Sequence, residues 1–123
     1  MSETVVILGA STNPRRFSHK AQLALIENGH IPVLVNPKYD RIDGIACYPD
    51  LKDLPYKIDT ITIYLNPDIL REMTEDILHV HPRRVIFNPG AECPEVATRL
   101  KSAGITVQNA CTLVLLNTAH FTS

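Results

Sequence analysis

A chain of 123 residues, 45% hydrophobic and 20% charged, has the size and balance of one globular domain, 1–123, around a single core. Its formal net charge of -1 excludes a generally basic nucleic-acid binder, though not one basic cleft. No apolar run approaches the roughly 20 residues that span a bilayer, and the polar, acidic start Met1-Ser2-Glu3-Thr4 lacks the positive charge of a secretory leader.

Val5-Val6-Ile7-Leu8 reads as a buried strand that ends at Gly9. The polar loop that follows, Ala10 to Phe17, carries Ser11, Thr12, Asn13, Pro14 and the adjacent Arg15 and Arg16. Ser18 stands at the expected N-cap of a helix over His19–Asn28, which Gly29 stops. Strand, tight turn, polar loop and helix N-terminus together make an anion site. Backbone N–H groups project from the helix end, its dipole favours negative charge, and the two arginines add full charge. A phosphate-bearing ligand is the economical reading.

Val33-Leu34-Val35 is the second strand and runs into the turn-rich Asn36-Pro37-Lys38-Tyr39-Asp40. Ile45–Tyr48 reads as a short extended piece and Pro49–Leu54 as a single helical turn. The β-branched Thr60–Leu65 is the third strand. Asn66-Pro67 then starts a helix with proline at its first position, where a missing N–H costs nothing. Ile69, Leu70, Met73, Ile77, Leu78 and Val80 form its buried stripe. Arg84–Phe87 is the fourth strand, Asn88-Pro89-Gly90 its exit loop, Pro94–Ala103 a helix stopped by Gly104, and Ile105–Val107 the fifth strand. The tail, Ala110 to Ala119, holds Leu113–Leu116 and reads as a short helix.

Apolar runs alternating with helical patterns signify a parallel α/β sheet. With right-handed crossovers, this predicts a Rossmann-like, doubly wound, five-stranded parallel sheet of order 3-2-1-4-5, with helices on both faces. In such sheets the ligand lies outside the carboxyl ends of the strands, at the switch point beside strand one. Those ends are Gly9–Ser18, Asn36–Tyr39, Leu65–Asn66 and Asn88–Gly90.

A dinucleotide fingerprint would need G-x-G-x-x-G and an acidic residue after strand two. Only Gly9 is present, and Asn36 stands where the carboxylate would be. Lys38 instead suits a ribose carrying an extra phosphate, as in NADP or coenzyme A (CoA).

The motifs G-A-S-x-N-P-x-R-x-S at 9–18, V-N-P-K-Y at 35–39, G-x-x-C-Y-P-x-L at 44–51 and N-P-G at 88–90 together resemble the small stand-alone CoA-binding domain proteins. Relatives of that family are the CoA-binding domains of succinyl-CoA synthetase and ADP-forming acyl-CoA synthetases. The resemblance runs from Val5 to Phe121. It implies a Rossmann-like fold, CoA or acyl-CoA as ligand, and no established reaction for the stand-alone members. Carried over by position, it implies that Gly9, Ala10, Ser11, Asn13, Arg15, Arg16, Phe17 and Ser18 hold the CoA phosphates. Asn36, Pro37 and Lys38 would border the adenosine, and Leu65, Asn66, Asn88, Pro89 and Gly90 would flank the pantetheine. The chain departs from the family after strand three, where Leu65-Asn66-Pro67 replaces a frequent arginine, and at Asn88-Pro89, where some members carry glutamine. The synthetases also use a phosphorylated histidine from a further domain, so no catalytic residue is carried over.

Blander readings stand beside these. Arg15-Arg16 taken alone could be a solvated pair, but their place before a helix N-terminus favours the site. Pro14, Pro37 and Pro89 fix turns. His79 and His81, two apart on a helix, do not share a face and suit a helix end better than a metal. His19 could reach a phosphate but more often such a residue is a surface histidine; His30 and His120 carry no signal. The three widely spaced cysteines, Cys47, Cys93 and Cys111, form no C-x-x-C pair. They read as free, buried thiols in a reducing cytoplasm, and only Cys93 has a helix-start setting. Glu75-Asp76 reads as solubility charge, and no G-x-S-x-G elbow is present. The expected protein is a CoA-binding module without its own catalytic group, free of nucleic acid and membrane, with a CoA-using enzyme or a second copy as candidate partners. The alternatives are a small NADP(H)- or acyl-CoA-dependent enzyme and an interaction domain with a vestigial cleft.

Overall fold

The computed structural model describes residues 2–52 and 54–122. In chain order its elements are β1 Thr4–Leu8, α1 Phe17–Glu27, β2 Ile31–Val35, β3 Arg41–Ile42, β4 Ile45–Tyr48, β5 Thr60–Ile63, α2 Pro67–Glu72, α3 Thr74–Val80, β6 Arg84–Phe87, α4 Pro94–Ser102, β7 Thr106–Asn109 and α5 Thr112–Asn117. Seven strands among the described residues form one sheet of order β3-β4-β2-β1-β5-β6-β7. Only the β3–β4 pair is antiparallel.

The α/β, Rossmann-like class expected from the sequence holds; the strand count and order do not. The short Ile45–Tyr48 piece is a strand and takes the place beside β2 that the five-strand reading gave to Thr60–Leu65. Burial explains the exchange. All four residues of β5 are buried, which an inner position between β1 and β6 provides on both faces. Of β4 only Cys47 is buried, with Ala46 exposed and Ile45 and Tyr48 half-buried, as suits a place near the sheet edge. Asp43 and Gly44, both at positive φ (52° and 78°), make the two-residue turn that folds β3 back on β4.

The sheet separates two cores. Val5 and Ile7 pack with Leu25, Leu34, Ile86 and Leu116 beneath α1 and α5. Val6 and Leu8 pack with Ile61, Leu70, Ile77, Val96 and Leu100 beneath α2, α3 and α4. The near-continuous apolar reading of β1 follows, since successive side chains enter opposite cores.

The expected single helix after Asn66 is two. Thr74 Oγ1 donates back to Leu70 O and Arg71 O, at 3.3 and 3.0 Å, and such back-bonding competes with a regular turn. Met73 becomes the joint, and Ile69 is 44% exposed instead of lying in the stripe. Asn66 caps α2 as its sequence suggests, its side chain accepting from Ile69 N–H at 3.0 Å. The turn expected at Pro49–Leu54 is bends and a turn at its described residues, with Asp53 outside them. α3 ends at His81, left-handed at φ 48° just before Pro82.

At the far end of the sheet from the strand exits, Glu3, Thr60 and Arg84 are buried together. Thr60 Oγ1 donates to Glu3 Oε1 at 2.6 Å, and Arg84 donates to Glu3, Thr60 and Phe121 O. The guanidinium lies 4.4 Å from the Phe121 ring centre. This satisfied network pins the last described residues to β1 and β6. His30 joins it, its Nδ1 accepting the Glu3 N–H at 3.0 Å.

No described helix is long and apolar enough to cross a membrane. No group of three or more His, Cys, Asp or Glu among the described residues could hold a metal.

Candidate functional site

The chain leaves β1 toward α1 and β2 on one side, and leaves β5 toward α2, α3 and β6 on the other. The switch point therefore lies between β1 and β5, and a cavity of about 500 Å3 opens there.

Gly9 makes the β1 exit possible. Its φ is +99°, and a β-carbon there would stand 2.9 Å from Tyr64 O. Gly9 N–H and Ala10 N–H both donate to Val35 O, at 3.0 and 3.3 Å. The loop then coils on its own polar groups: Asn13 N–H donates to Ser11 Oγ and Arg15 N–H to Asn13 Oδ1. α1 starts at Phe17 with Arg16 as its cap residue and no side-chain cap. Ser18 is thus the second helical residue, buried in the cavity wall, and not the expected N-cap. His19 and Lys20 N–H groups close on Arg16 O at 3.1 and 3.2 Å. The N–H groups of Phe17 and Ser18 are left outside intrahelical bonding, as first-turn donors are.

Of the sixteen positions the sequence points to, thirteen line this cavity: Gly9, Ala10, Ser11, Arg16, Phe17, Ser18, Asn36, Lys38, Leu65, Asn66, Asn88, Pro89 and Gly90. Three do not. Asn13 holds the loop together, Arg15 lies outside the lining, and Pro37 belongs to a smaller neighbouring pocket. All three lining asparagines are already engaged within the protein, Asn66 as the cap of α2. Asn36 Nδ2 donates to Ala10 O at 2.8 Å while its Oδ1 accepts Lys38 N–H at 2.9 Å, clamping the β1 and β2 exits together. Asn88 Nδ2 donates to Thr62 Oγ1 and Ile63 O, and its Oδ1 accepts Thr112 N–H.

Tyr39, Ile63, Tyr64 and Ala91 also line the cavity. Tyr39 was legible in the V-N-P-K-Y motif. Tyr64 was assigned to a strand, but β5 stops at Ile63 and Tyr64 belongs to its exit. Burial pushes the Tyr64 phenol up to about 12, against the opposing hydrogen bonds to Thr62 and Thr112. The Tyr39 phenol is held below its ordinary value, chiefly by hydrogen bonding with Thr12 and Ser11, aided by the charge on Lys38.

The neighbouring pocket, about 310 Å3, shares Gly9, Asn36 and Leu65 with the cavity and is otherwise walled by Leu8, Val35, Pro37, Pro49, Ile69 and Met73. Charge is uneven along the composite cleft. Arg16 and Lys38 lie on the β1–β2 side, whereas the β5–β6 side is lined by neutral residues.

His19 is buried, and its Nε2 lies 2.7 Å from Asp43 Oδ2; it ties α1 to the β3–β4 turn instead of facing the cavity. His30, which carried no signal, is buried in the network described above. Cys47 and Cys93 are buried and Cys111 half-buried; burial pushes the Cys47 thiol up, which argues against a reactive thiolate.

A family model described as "CoA binding domain" matches residues 3–117. The uncharacterized protein YneT of Bacillus subtilis (strain 168) is 26% identical over 106 residues, 86% of this chain and 78% of its own. A crystal structure of an uncharacterized protein superposes with a TM-score of 0.93 at 32% identity, covering 98% of this chain and 99% of that one. One chain of the dinucleotide-forming acetyl-coenzyme A synthetase 1 of Ca. Korarchaeum cryptofilum shares the fold, with a TM-score of 0.72 at 22% identity over 85% of this chain and 25% of that chain.

Proposed function

The chain belongs to the CoA binding domain family, and on that premise we propose that the cleft between the β1 and β5 exits binds coenzyme A or an acyl-CoA. The observation that carries this reading is the charge gradient along the cleft. Arg16, Lys38 and the free first-turn N–H groups of α1 gather at one side, where a diphosphate and a ribose phosphate are held by charge-assisted hydrogen bonds. The neighbouring apolar pocket accepts the adenine between prolines and aliphatic side chains. Phe17, 64% exposed at the cavity mouth, offers an aromatic face to the ligand. The uncharged pantetheine runs over Leu65 and the 89–91 backbone.

No cysteine, histidine or carboxylate is among the described lining residues, so the reading is of a binding protein that works with a CoA-using enzyme. That reading assigns it to the cytoplasm, where CoA and free thiols coexist. NADP also carries a ribose phosphate and is the competitor to test. Calorimetry with CoA, NADP and NAD decides. CoA near 100 times its dissociation constant stabilises the fold by about 2.7 kcal/mol, NADP binds more weakly, and NAD binds poorly. No heat and no melting shift with millimolar CoA would sink the reading.

A further inference from the structure

The β5–β6 end of the cleft is anionic in its surroundings. Glu92 Oε1 accepts the N–H of Gly90 at 2.8 Å, and Gly90 is part of the cavity wall. This backbone donor is therefore taken by a carboxylate of the protein's own. The helices that begin beside this end carry acidic first turns, Asp68 on α2 and Glu95 on α4. Their shared cation is consumed: Arg71 bridges Asp68 at 2.7 Å and Glu95 at 2.8 Å, leaving the trio at net -1. Arg99, further along α4, is paired with Glu75. No cation lines this part of the cavity among the described residues.

We infer that Glu92 makes the cleft select free CoA and thioesters of uncharged acyl groups over thioesters of dicarboxylic acids. The inference rests on the proposed CoA reading, in which phosphates bind at Arg16 and Lys38 and the acyl group emerges at the 88–91 loop. There a second carboxylate meets Glu92, which already holds the Gly90 N–H, and no cation among the described lining residues offsets it. Two unit charges about 4 Å apart in water repel by about 1 kcal/mol, which is about fivefold in affinity, and salt screens the effect.

The test is titration of the whole protein with CoA, acetyl-CoA and succinyl-CoA at low and high salt, repeated on Glu92→Gln. Glutamine keeps an oxygen for the Gly90 N–H and removes the charge. The expected result is succinyl-CoA binding about fivefold more weakly than acetyl-CoA at low salt, with the ratio falling toward one in high salt and in Glu92→Gln. Equal affinities in the unmutated protein overturn the inference while leaving CoA binding intact. A gap that survives in Glu92→Gln overturns the role of Glu92. Failure of all three ligands to bind overturns the CoA reading itself and this inference with it.

Discussion

Gly9 and Tyr64 stand so close that a β-carbon on the glycine would lie 2.9 Å from the tyrosine carbonyl oxygen. The contact brings the exits of β1 and β5 together and so forms the floor of the cleft. Gly9→Ala combines a side chain at φ +99° with a backbone clash. Strained φ and overpacking each cost about 1–3 kcal/mol, so denaturant unfolding is expected to lose roughly 2–6 kcal/mol. A variant as stable as the parent would mean that the two loops separate easily.

Arg15 and Arg16 are neighbours in sequence but not in role. Arg16 lines the cavity and Arg15 does not. Arg16→Ala is expected to weaken CoA binding about tenfold, or about 1.4 kcal/mol, and Arg15→Ala much less. Both residues are exposed, so each change should alter unliganded stability by no more than about 0.5 kcal/mol. Titration and melting of the two single variants check this. Equal losses of affinity would return Arg15 to the site.

Lys38 lines the cavity beside the β2 exit, and its own backbone N–H is fixed by Asn36 Oδ1. It is the expected reader of the ribose 3′-phosphate. Dephospho-CoA should bind more weakly than CoA by about 1.5–3 kcal/mol, the range for a charge-assisted contact. Lys38→Ala should remove most of that difference. Equal affinity of the parent protein for both ligands would show that the phosphate is not read.

His30 makes stability depend on pH. Burial holds its pKa below the ordinary 6.5, outweighing the favourable charge of Glu3. Its Nδ1 needs a lone pair to accept the Glu3 N–H, which only the unprotonated nitrogen has. The unfolded chain therefore binds the proton more readily. The stabilisation is present above the unfolded value and is lost as pH falls below about 6.5 through the folded value. Unfolding free energies measured from about pH 7 to 5 should fall more steeply in the parent than in His30→Gln. Parallel slopes would dismiss His30 as the titrating group.

The cleft was legible in the sequence because it is built from chain segments that are each locally distinctive. Gly9 after an apolar run, Asn66-Pro67 before a helix and Asn88-Pro89-Gly90 after a strand all carry their turn chemistry on the surface of the sequence. The start of α1 lies two residues before the one its sequence suggests, because Ser18 is the usual capping type while Arg16 caps the helix without a side-chain bond. The β3–β4 hairpin carries its own signal in Asp43-Gly44, between Ile42 and Ile45, but strands of two and four residues are too short to show a period.

The order of periodicity, turns and helix ends along the chain determined the α/β class and collected the polar loops at one end of the sheet. Local propensity acts over a few residues and is written in them. Which strand sits beside which was decided only by the tertiary structure, because the two-sided burial of β5 and the half-exposure of β4 are properties of their neighbours and not of their own sequences. The same holds for side-chain roles. Asn36 and Asn88 read as ligand groups from position alone, but partners 26 and 25 residues away in Ala10 and Ile63 claim their amides. Buried polar atoms must be satisfied wherever the fold places them, and only the folded chain shows which partners are within reach.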